Sequence, residues 1–111
     1  MKKLFQNYNY NFDKNEKKML INFCKQAIKQ MSTDEKFFQD INSFQSIITK
    51  LSSNSEEVKL SKQEKTRLVL QLEENSKFLK QKMSKSWFLK KWLYGTMYKQ
   101  YNNILSQHFS D

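Results

Sequence analysis

The sequence predicts an all-α fold: a small antiparallel three- or four-helix bundle with an N-terminal arm. Three observations carry that prediction. The chain has no proline and one glycine in 111 residues, too few breakers for a sandwich or barrel, which turns about every 8 to 12 residues. Apolar residues recur at three- and four-residue intervals over most of its length. Three segments also open with a capping residue followed three positions later by glutamate: Asp13 with Glu16, Ser32 with Glu35, and Ser61 with Glu64. In such a box each side chain accepts from the other residue's backbone N–H, satisfying two amides that the first helical turn leaves without a partner.

The first dozen residues, with Leu4, Phe5, Tyr8, Tyr10 and Phe12, have neither a helical period nor a cap. They read as an arm, residues 1–12, that packs across the helices or orders on a partner. The first helix is expected over 14–31, with Leu20, Cys24, Ala27, Ile28 and Met31 on one face. Lys14, Lys18, Lys25 and Lys29 form a neighbouring stripe. Such a stripe is ordinarily the solvated flank of an amphipathic helix, and otherwise a phosphate or acidic-partner site.

The second helix is expected over 33–51, with Phe37, Ile41, Phe44, Ile48 and Leu51 inward and Phe38 and Ile47 beside them. Acids at its start and Lys50 at its end suit the helix dipole. The stretch SSNSEEVKL follows as the clearest loop, with Val58 and Leu60 tucked in ahead of Ser61. The third helix is expected over 62–83, with Leu68, Leu72, Leu79 and Met83 inward and Val69 adjacent. Asn75 and Ser76 on or beside that face imply a kink or a small polar contact, and Glu73 and Lys77 stand in the order of an i to i+4 ion pair. A fourth helix over 86–108 gathers Trp87, Tyr94, Met97, Tyr98, Tyr101, Ile104 and Leu105 in one broad arc. Whether it is separate from the third helix or its bent continuation stays open.

One domain of residues 1–111 is expected from the length. The formal charge is +9, with nineteen lysines and a single arginine, Arg67. Residues 1–31 are the most basic, with seven lysines against two acids, and residues 32–60 are net acidic. A single cysteine supports neither an internal disulfide nor a four-ligand zinc site, which suits a reducing cytoplasm. The N-terminus lacks the apolar run and cleavage site of a signal peptide, and no apolar stretch exceeds three residues, against about 20 for a spanning helix.

No catalytic constellation is apparent, so the expectation is a protein without enzymatic activity, cofactor, metal or small-molecule substrate. His108, the sole histidine, sits near the chain end, where capping the last turn explains it. Cys24 falls on an apolar face, where a thiol is inert. A phosphate loop needs several glycines and only Gly95 is present. Glu16, Glu35 and Glu64 are explained as caps. A helix-turn-helix around residues 79–93 fails because Trp87, Phe88 and Leu89 would open the recognition helix, where polar groups are needed.

The segment 85–101, KSWFLKKWLYGTMYKQY, concentrates both tryptophans, the glycine and four lysines. On a helical wheel Phe88 and Trp92 stack four residues apart, away from the main apolar arc, with Gly95, Lys85 and Lys99 on the same side. Another helix or the arm would cover these rings in a wide-faced bundle, and a helix end is the ordinary reading of Gly95. The functional reading is an anchor for a protein partner with an acidic, partly apolar surface, or for a second copy in a homodimer, the chain acting as a regulator, inhibitor or immunity-type factor. Nucleic-acid binding through the lysine stripes is the alternative, and attachment of the basic aromatic helix to an anionic membrane surface a third.

Overall fold

Asp13 opens the first helix, α1, Lys14–Met31. Its carboxylate accepts from the Glu16 N–H at 2.7 Å, and the Glu16 carboxylate accepts from the Asp13 N–H at 3.0 Å. This closes the capping box read from the sequence, a device whose loss costs about 1 kcal/mol. The computed structural model describes the backbone of residues 8–85 and 88–109 and, apart from residues 83–93, their side chains. The architecture is all-α with a small sheet: strand β1 (Tyr8–Tyr10), α1, a 3₁₀ turn (Glu35–Phe37), α2 (Phe38–Leu51), strand β2 (Val58–Leu60), α3 (Lys62–Lys85) and α4 (Phe88–His108).

The box expected at Ser32 and Glu35 does not form. The Ser32 hydroxyl donates back to the Lys29 carbonyl at 3.0 Å, and the cap is Asp34, whose carboxylate accepts from the Lys36 N–H at 3.1 Å. Aspartate is at least as good a cap as serine, and it stands two residues later, so the chain turns once as a 3₁₀ helix before α2 begins. Phe38, expected beside the apolar face, is 66% exposed, and the buried line of α2 runs Phe44, Ile47, Leu51, with Phe37, Ile41 and Ile48 only half-buried.

Within the arm, residues 8–10 pair antiparallel with residues 58–60, Tyr8 opposite Leu60, Asn9 opposite Lys59 and Tyr10 opposite Val58. Alternation explains the pairing: Val58 and Leu60 are buried while Lys59 and Asn9 are exposed, so one face of this two-stranded ribbon is apolar. Tyr10 stacks on Phe12 with centroids 5.5 Å apart, and Lys65 Nζ lies 5.3 Å from the centre of the Tyr8 ring. The stretch read as one loop, SSNSEEVKL, therefore ends in a strand. Leu4 and Phe5 lie outside the described residues.

The chain divides into two compact units, Met1–Leu68 and Val69–Asp111, with the division inside α3. In the first unit α1 and α2 pack on each other, and Phe12, Leu20, Phe23, Cys24, Ala27, Met31, Phe44, Ile47, Leu51, Val58, Leu60 and Leu68 are buried. Burying a side chain of this size is worth about 1.5–3 kcal/mol. In the second unit Leu72, Leu79, Tyr101, Ile104 and Phe109 are buried. The polar contact expected near Asn75 and Ser76 is present: Ser76, 6% exposed, donates to Asn102 Oδ1 of α4 at 3.2 Å. Asn102, itself half-buried, in turn donates to the Tyr98 carbonyl, so the buried Ser76 hydroxyl is satisfied. The Glu73–Lys77 ion pair expected on α3 is not among the ion pairs of the structure.

Candidate functional site

Glu64 is the most heavily engaged titratable side chain of the described residues. As the third residue of α3 it closes the second capping box, with its Oε1 accepting from the Ser61 N–H at 2.9 Å and its own N–H donating to Ser61 Oγ at 3.1 Å. The same Oε1 holds Lys50 Nζ at 2.6 Å, and Oε2 accepts from the Ser46 hydroxyl. Burial alone would raise the pKa of this carboxyl; the Lys50 and Ser46 hydrogen bonds, the Ser61 amide and the Lys50 charge outweigh it and hold the pKa below the usual value of 4.5. One turn further along α3, Arg67 Nε meets Asp40 Oδ1 at 2.6 Å and its Nη1 donates to Ser43 Oγ at 2.8 Å.

These contacts form a seam. Asp40, Ser43, Ser46 and Lys50 fall every three or four residues along α2 and meet Arg67 and Glu64 in reverse order on α3, so the two helices run antiparallel here. Every charge in the seam is neutralised by its neighbour, and the arrangement clamps α3 onto α2. Sequence reasoning read Glu64 as a cap only. The spacing of the α2 residues was visible, but nothing local says which helix they face.

The thiol of Cys24 is fully buried, and burial pushes its pKa up to about 12. At neutral pH it stays protonated and unreactive. His108 lies in the last turn of α4. Among the described residues no group of three or more His, Cys, Asp or Glu side chains stands close enough to share a metal ion. No described helix is long and apolar enough to cross a membrane.

Of the residues singled out in the C-terminal segment, Gly95 and Lys99 are described. Gly95 is half-buried inside the unbroken helix α4 and has no positive φ, so the helix-end reading of this glycine does not hold. Lys99 is exposed. The side chains of Lys85, Phe88 and Trp92 lie outside the described residues. Elsewhere in the same unit, two large apolar side chains that sequence reasoning left unassigned are open to solvent: Leu70 at 56% and Phe78 at 54%. Phe78 carries the Lys82 ammonium 5.3 Å from its ring centre. Their signal was their position, off the line of Leu68, Leu72 and Leu79. A shallow groove of about 440 Å³ opens between α3 and α4, lined by Lys77, Lys80, Tyr98 and Asn102 among others.

The alternative stripe is fully described. Lys14, Lys18, Lys25 and Lys29 are all exposed, and among the described residues none has a carboxylate at ion-pair distance. Lys17, between them in sequence, differs: it is half-buried and donates to the Ser55 carbonyl at 2.7 Å. Compared with known proteins, the chain matches no family, no curated protein and no solved structure.

Proposed function

We propose that this chain is a non-enzymatic binding protein, a regulator, inhibitor or immunity-type factor that acts in the cytoplasm by engaging an acidic, partly apolar surface of a partner protein through its C-terminal unit. The observation that carries this reading is the exposure of Leu70 and Phe78, eight residues apart on a helix whose other exposed positions are polar, with Glu74 between them and the Lys82 ammonium over the Phe78 ring. A ring that is half in water costs solubility unless something covers it, and aromatic side chains are the usual anchors of protein interfaces. In the sequence, the segment 85–101 holds the same combination of rings and cations, with Phe88, Trp92, Gly95, Lys85 and Lys99. A partner with carboxylates around an apolar pocket answers both, and the +9 charge of the chain favours that sign over self-association.

Calorimetric titration against an acidic protein retained by the immobilised chain tests the proposal. Phe78→Ala and Trp92→Ala each weaken binding roughly thirtyfold, about 2 kcal/mol, and moderate salt changes it less. If both variants bind like the parent while salt alone abolishes binding, the apolar anchors have no part and the proposal fails.

A further inference from the structure

The outer face of α1 belongs to the other unit and owes nothing to those anchors. Lys14, Lys18, Lys25 and Lys29 lie within a narrow arc of the helix and span roughly 22 Å along its axis at 1.5 Å per residue. All four are exposed and, among the described residues, unpaired. The one carboxylate of α1, Glu16, is turned back onto the Asp13 amide in the capping box, so no acid interrupts the row. Lys14 with Lys18 and Lys25 with Lys29 are like-charged i to i+4 pairs, each costing a few tenths of a kcal/mol.

We propose that this face docks the sugar-phosphate backbone of a nucleic acid. Three properties select that occupant. A surface without aromatic or arginine anchors is poorly suited to a protein partner, whose interfaces are depleted in lysine. The large exposed apolar side chains of the described residues are Phe38, Leu70 and Phe78, none of them on α1, and Ile21 and Ile28 beside the row are half-buried, so this face has no exposed ring or large apolar side chain to insert into a lipid surface. The row is bordered instead by Asn22 and Gln26, both exposed, whose amides donate and accept hydrogen bonds beside the phosphate contacts. Lysines acting as point charges, with no arginine to read guanine, make the binding independent of sequence.

Fluorescence anisotropy of a labelled 20-base-pair duplex and its single strand, titrated across a range of potassium chloride, tests this. The unmodified chain binds with a slope of log affinity against log salt of about −3 to −4, near 0.9 per phosphate neutralised. Lys14→Gln/Lys18→Gln/Lys25→Gln/Lys29→Gln brings that slope close to zero and weakens binding at low salt by about a hundredfold. Lys36→Gln/Lys59→Gln/Lys62→Gln/Lys80→Gln, which removes the same charge from exposed sites elsewhere, leaves most of the slope. Equal losses in the two variants would show bulk charge alone and overturn the proposal. So would an absence of binding to either nucleic acid at low salt, or a stripe-dependent affinity found only for vesicles containing phosphatidylglycerol. Should the quadruple variant not fold, the pairs Lys14→Gln/Lys18→Gln and Lys25→Gln/Lys29→Gln each halve the slope; an unchanged slope in both contradicts the site.

Discussion

Along α2 and the start of α3, each charged side chain of the seam has a partner; along the outer face of α1, the four lysines have none among the described residues. Lys50 is held by Glu64 and Arg67 by Asp40, with serine hydroxyls from Ser46 and Ser43 filling the remaining positions. Charges that close on themselves fix a helix pair and leave nothing to offer a ligand. Charges that point outward as a single sign add little to stability and keep their full electrostatic reach. The difference teaches that residue type alone, lysine in both places, says nothing about role. Role is set by whether the opposite charge is supplied from within the fold.

The largest effect expected from this contrast is at Glu64. Glu64→Ala leaves Lys50, Ser46 and the Ser61 amide without their acceptor and costs about 3 kcal/mol, the range for breaking one side of a buried pair, read as a lower urea midpoint. A parent-like midpoint would show that the seam is decorative. The pH dependence sharpens the same point. The folded carboxyl of Glu64 has a lower pKa than the usual 4.5 of an unfolded chain, so its contribution is complete above that value and is lost as pH falls below it towards the folded pKa. Stability of the parent therefore declines more steeply as pH falls below about 4.5 than that of Glu64→Gln, which thermal melts above and below that pH would reveal.

Next in size is the outer half of the seam. A double-mutant cycle with Asp40→Ala and Arg67→Ala should give a coupling of about 1 kcal/mol, because both side chains are about a third exposed and solvent screens them. Coupling near zero would confine the clamp to Glu64. A kinetic check is available at Cys24, which should resist a thiol reagent in the native state and react at the rate at which the chain opens. Rapid labelling of the folded protein would contradict its burial.

The parts of this fold legible in the sequence are the local ones. Asp13 with Glu16 and Ser61 with Glu64 cap helices as their three-residue spacing requires, and Leu68, Leu72 and Leu79 are buried on the period that marks them. Ser32 with Glu35 has the same spacing and fails, since Asp34 competes for the cap within two residues. What sequence could not supply is pairing at a distance. Residues 8–10 and 58–60 are strands too short to show a period, and each becomes one only opposite the other. The seam was hidden for the same reason: Asp40, Ser43, Ser46 and Lys50 make a polar stripe whose meaning depends on Glu64 and Arg67 arriving against it. At the candidate sites, the stripe Lys14, Lys18, Lys25 and Lys29 was readable as a row, and its lack of partners became visible only in the folded chain. Leu70 and Phe78 were readable as apolar residues off the buried line, and so was Phe38, about 180° around the helix from the buried Ile47.

The most direct test of the account compares two charge removals by urea denaturation. Lys50→Gln, one lysine lost from the seam, should lower the unfolding free energy by about 1–2 kcal/mol, as Glu64 loses its charged partner. Lys14→Gln/Lys18→Gln/Lys25→Gln/Lys29→Gln, four lysines lost from α1, should leave it within about 0.5 kcal/mol or raise it slightly by relieving repulsion. A loss from the quadruple variant as large as that from Lys50→Gln would mean that the stripe also holds the fold together, and would contradict the division between structural and available charge.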